Sequence, residues 1–144
     1  MISPILAPAA VLVLWSILVL FWVMVTRMQA FGKAGVSLGD AQPGSRYADV
    51  EKDMPASANW KSHNFVHLME QPTLFYAAVA ILALAGQGSG INLSLAWGYV
   101  GLRIAHSLWQ GLVNTVPVRF GLYLLSTLCL LVMAINAVRF TLLL

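Results

Sequence analysis

Charge is what this chain has least of. Only 9% of its 144 residues are Asp, Glu, Lys or Arg, against about 25% in a soluble domain. A net charge of +3, thinly scattered, gives no basic stripe able to neutralise a run of phosphates, so nucleic acid is excluded as a partner. A lone cysteine, Cys129, excludes a disulfide framework and a CxxC redox pair. Set in an apolar run, it reads as helix packing. There is no HExxH, and Glu70 is the only carboxylate inside any apolar stretch, which leaves nothing to hold a di-iron centre. What fills the space is hydrocarbon. Hydrophobic residues make up 60% of the chain and the mean hydropathy is +0.81, the composition of an integral membrane protein.

The apolar runs divide into four spans, giving an all-α membrane-spanning four-helix bundle in one domain over residues 1–144. The expected spans are about 2–28, 61–86, 92–113 and 118–144, each long enough at about 1.5 Å per residue to cross roughly 30 Å of hydrocarbon. Pro4 and Pro8 fall in the first turns of the first span, where proline is best tolerated. That span is too long for a signal-peptide core and reads as retained. Residues 32–59 are a polar connection carrying Lys33, Asp40, Arg46, Asp49, Glu51, Lys52 and Asp53, long enough to imply an ordered surface element or a function. Arg27, Lys33, Arg46, Lys52 and Lys61 flank or occupy this first loop, and Arg119 adjoins the third. The positive-inside rule then puts those loops in the cytoplasm and both termini outside it.

That topology places the few polar intramembrane residues at one depth. His63, His67 and Glu70 are spaced to share a face of the second helix. Arg103, His106 and Gln110 do the same on the third, and Arg119, Tyr123 and Ser126 on the fourth. Ionisable groups at membrane depth are costly and usually line polar cavities. Because a guanidinium stays charged, Arg103 needs a partner; one reading is an Arg103–Glu70 ion pair joining two helices, another the floor of a polar site. Arg119 reads either as a snorkelling side chain at the headgroups or as an anion clamp, with Tyr123 one turn on as an interfacial aromatic or a hydrogen-bond donor. His63 and His67 could grip a metal from one helix with His106 as a third ligand. Pro72 frees a backbone carbonyl and favours a kink in the second helix.

Three segments carry a resemblance: Glu70-Gln-Pro-Thr-Leu-Phe-Tyr76 in the second helix, Leu102-Arg-Ile-Ala-His-Ser-Leu108 in the third, and Pro117-Val-Arg-Phe-Gly-Leu-Tyr123 opening the fourth. Together with the four-span plan they resemble the MAPEG family, the membrane proteins of eicosanoid and glutathione metabolism, in a bacterial-type, inner-membrane form. The resemblance implies a homotrimer that binds glutathione as co-substrate between subunits near the cytoplasmic face, with a lipophilic small-molecule electrophile entering from the lipid. By position it implies Arg119 and Tyr123 as catalytic residues, and Arg27, His67, Glu70, Arg103 and His106 as glutathione-binding residues, with no metal.

The expected activity is glutathione S-transfer or glutathione-dependent peroxide reduction. A guanidinium beside the thiol favours the thiolate nucleophile. Where glutathione-using members read Arg-Asn-x-x-Glu, this chain reads Val66-His67-Leu68-Met69-Glu70, and Phe120 stands where some synthases carry a serine. A non-catalytic trimer binding lipid or a small molecule in a degenerate glutathione site is the alternative.

Overall fold

The computed structural model describes residues 2–142, and the regular secondary structure among them is all helical. Four helices are long: α1 (Leu6–Ala34), α3 (Ala56–Leu84), α4 (Gly90–Leu112) and α5 (Val116–Leu142). The fifth, α2 (Tyr47–Val50), is a single turn flanked by 3₁₀ turns at Leu38–Asp40 and Glu51–Asp53. The first helix continues beyond the expected 28 through Gln29, Ala30, Lys33 and Ala34, all good helix formers; Gly35, at φ 66°, then ends it in the left-handed conformation that glycine adopts without strain. Helix α3 begins directly after Pro55, and Pro72 is buried within it without ending it. Between α4 and α5, Asn114 at φ 58° turns the chain, and Pro117 lies in the first turn of α5. The expected fourth span runs to 144; its last two residues lie outside the described part.

By length and composition α1, α3 and α5 can each cross a membrane. Helix α4 is the exception among the expected spans. Its 23 residues include Asn92, Arg103, His106, Ser107 and Gln110, all buried, and this polar content lowers the hydropathy of the helix as a whole. The polar groups point inward against neighbouring helices, whereas α1 and α5 present Phe21, Met24, Phe120, Leu128 and Leu131 outward. Apolar side chains facing outward along whole helices, with the polar groups of α4 turned inward, are suited to a hydrocarbon solvent.

The core runs along the helix interfaces. Leu12, Val19 and Val23 of α1 meet Leu68, Phe75, Val79 and Leu82 of α3, with Tyr99, Val100 and Met133 from α4 and α5. Phe75 and Tyr99 stack with ring centroids 4.3 Å apart. Gly111 lets α4 approach α1: a Cβ there would lie 2.7 Å from Cη2 of Trp22. A second small cluster, Ala30, Met54 and Ala58 with Phe31, Tyr47 and Val50, seats the first connection against α1 and α3. This strap is pinned by Tyr47 Oη donating to Asn59 Oδ1 (2.7 Å), Asn59 Nδ2 donating to the Glu51 carbonyl (2.9 Å), and a His63 Nε2–Glu51 Oε1 contact of 2.5 Å. The expected long polar connection is therefore an ordered surface element.

Candidate active site

Helices α3, α4 and α5 enclose an open cleft of about 260 Å³ lined by His67, Glu70, His106, Val116, Arg119, Phe120 and Tyr123. Five of the seven residues singled out from the sequence thus converge. Helical periodicity accounts for the arrangement: His67 and Glu70 sit one turn apart on α3, and Arg119 and Tyr123 one turn apart on α5. His106 comes from α4, its ring centroid 5.9 Å from His67 and 6.1 Å from Tyr123. His67 Nδ1 donates to Gln110 Oε1 at 3.0 Å, which orients its ring. Arg119 Nη1 donates to Asn114 Oδ1 at 2.7 Å, tying the guanidinium to the α4–α5 turn. That turn is further fixed by Trp109 Nε1 donating to Thr115 Oγ1 (2.8 Å). The remaining guanidinium donors of Arg119 make no other side-chain bond among the described residues.

Arg103 does not line this cleft. It is wholly buried, with Nη2 donating to Gln71 Oε1 (2.5 Å) and Nε to Tyr99 Oη (3.1 Å). The ion pair with Glu70 considered from the sequence does not form. Consecutive helix positions point about 100° apart, so the neutral amide of Gln71 meets Arg103 while Glu70, exposed, faces the cleft. Gln71 also donates from Nε2 to Thr127 Oγ1 (2.8 Å), linking α3 to α5. Gln71 does not line the cleft but holds Arg103 behind it, and sequence reasoning missed it; an uncharged amide gives no titratable signal, and only its position beside Glu70 hinted at it.

Arg27 lies elsewhere. Its Nε donates to Ser62 Oγ (3.0 Å), its guanidinium stacks on Tyr47 at 3.9 Å, and it lines a separate cleft of about 250 Å³ beneath the strap. His63 contacts Glu51, and no group of three or more metal-ligating side chains gathers among the described residues.

The chain matches the MAPEG family over residues 5–139. It belongs to that family. Membership makes it an integral membrane protein of a family associated with glutathione and eicosanoid metabolism. Comparison with curated proteins and with solved structures returned no match. Within this MAPEG chain the Arg-Asn-x-x-Glu pattern can be laid in two registers. Val66-His67-x-x-Glu70 keeps the glutamate, which faces the cleft. His63-Asn64-x-x-His67 keeps the asparagine, which is fully buried and donates to Ser107 Oγ at 2.7 Å. Both registers bring His67 to the site.

Proposed function

We propose that this MAPEG protein is a membrane glutathione S-transferase or glutathione-dependent peroxidase acting on lipophilic electrophiles, working as a homotrimer of four-span subunits with both termini outside the cytoplasm. The observation that carries this reading is the cleft itself. Arg119, Tyr123, His67, His106 and Glu70 meet at the edge of a bundle whose flanks are hydrocarbon-facing, so a polar thiol and an apolar electrophile can meet there.

Arg119 is the thiolate stabiliser: it lines the cleft with donors left over from its bond to Asn114, and its charge favours the ionised sulfur. The thiol proton leaves to water. The sulfur electron pair then forms a bond to the electrophilic carbon as the leaving group departs with its own bonding pair. With a peroxide, the thiolate instead attacks the peroxide oxygen; an alkoxide leaves and is protonated, and a second glutathione reduces the resulting sulfenic acid to disulfide and water. Tyr123 donates a hydrogen bond to the sulfur or the departing oxygen. Glu70 receives the ammonium of glutathione, and His67 and His106 bind its polar backbone. Arg27, separated from the cleft within its own subunit, serves a tripeptide carboxylate in a neighbouring copy.

The alternative, a non-catalytic trimer holding a lipid or small molecule, is favoured by Val66, exposed on α3 in place of a basic residue, and by Phe120 in the cleft wall. Titration of the detergent-solubilised protein with glutathione separates the two. A saturable ultraviolet thiolate signal with turnover of a chromogenic aryl halide is the expected result. Absence of both at millimolar glutathione selects the non-catalytic reading.

A further inference from the structure

Arg103 is the largest side chain fully withdrawn from solvent, and its partners are neutral. Gln71 Oε1 and Tyr99 Oη accept its bonds, Nη1 has no partner, and the ion pair found among the described residues is His63–Glu51. An uncancelled buried charge is costly, and a glutamate at position 71 would have cancelled it with almost the same shape. The cation also has a direction of action. Its Cζ lies 5.0 Å from the centroid of the Tyr123 ring, and Tyr123 lines the cleft.

We propose that Gln71 is a positioning residue whose neutrality leaves the Arg103 charge uncancelled behind Tyr123, where it stabilises an anion bound in the cleft. Arg103 acts through space across the Tyr123 ring, in an interior where fields are weakly screened. The groups facing the anion are His67 and Glu70 from α3, His106 from α4, and Arg119 and Tyr123 from α5. Arg119 and Glu70 carry opposite charges and offset one another, and Arg103 adds a positive charge behind the Tyr123 ring that favours an anion. The identity of the anion as a thiolate rests on the function proposed above; the uncancelled charge does not.

The test uses the full-length protein in detergent, with glutathione as probe, and compares Gln71→Glu with the neutral Gln71→Met. In Gln71→Glu, Thr127 can turn its hydroxyl from the Tyr123 carbonyl (2.8 Å) toward the carboxylate, exchanging one local bond for another while the charge is cancelled. The thiol titration of bound glutathione is expected to move upward by roughly one pH unit, kcat/KM at neutral pH to fall about tenfold, and the ligand-free protein to unfold at higher temperature. Gln71→Met is expected to unfold earlier yet keep a thiol titration close to that of the unsubstituted protein. Equal shifts in both variants would overturn the charge argument, as would earlier unfolding of Gln71→Glu, which would mean that Arg103 already has a counter-charge. If the unsubstituted protein gives no thiolate signal, the glutathione reading fails, and the unfolding comparison alone decides the role of Gln71.

Discussion

Glu70 and Gln71 are consecutive in α3 and serve different faces of it: the carboxylate faces the open cleft with Arg119, and the amide holds buried Arg103 at 2.5 Å. Charge at position 70 is therefore dispensable for folding. Glu70→Gln should leave the unfolding temperature unchanged and weaken glutathione binding about tenfold, equivalent to about 1.4 kcal/mol. Calorimetry and thermal unfolding on the same preparation check both halves; a large loss of stability would restore the structural ion pair.

Arg119→Ala should reduce kcat/KM for an aryl halide by about a hundredfold or more, the scale seen when one donor to a developing anion is removed. The side chain is half-buried and bonded to Asn114 alone, so the fold should persist. Steady-state kinetics with size-exclusion chromatography distinguishes a lost catalytic group from a lost assembly.

Arg27 and Arg119 sit in different clefts of one subunit. If a glutathione site draws on both, it draws on two copies. Arg27→Ala and Arg119→Ala subunits, each inactive alone, should regain partial activity when co-expressed, because mixed trimers contain sites with both arginines intact. Activity assays on doubly tagged, co-purified protein measure this, and the absence of complementation would place Arg27 outside the site.

Gly111→Ala should destabilise the protein by about 1–3 kcal/mol through overpacking, since the new methyl would meet the Trp22 ring at 2.7 Å. Trp22→Leu in the same chain should recover part of the loss, a coupling that a double-mutant cycle in thermal unfolding reads directly.

Tyr47→Phe removes the hydroxyl that joins the strap to Asn59. Limited proteolysis should then cut the 35–55 connection faster while the long helices stay intact, because the strap is held by few contacts of its own.

The apolar runs made the four long helices legible, since nothing but a helix satisfies its own backbone in a run of that length. Side-chain spacing gave the cleft residues, because Glu70, His106, Arg119 and Tyr123 were each conspicuous in apolar surroundings. Spacing within one helix does not say which neighbour a side chain meets, so it could not tell that Arg103 meets Gln71 rather than Glu70. Nor could it tell that Arg27 lines a cleft separate from that of Arg119 within one subunit. The strap could be recognised as polar and long, but its anchors, Tyr47, Asn59, Glu51 and His63, come from two segments whose docking no local pattern encodes.

The turn at Asn114 and Thr115 has a consequence for how the cleft can vary. Arg119 is bonded to this corner through both its backbone and its side chain, and Trp109 grips the corner from α4. The α4 and α5 walls are thereby hinged as one unit at a fixed angle, with α3 as the opposing jaw. An insertion at the corner would swing Arg119 away from His106 and dissolve the pocket. Specificity in such a design is open to revision by exchanging side chains such as Phe120 on the rim, and closed to revision by lengthening the loop.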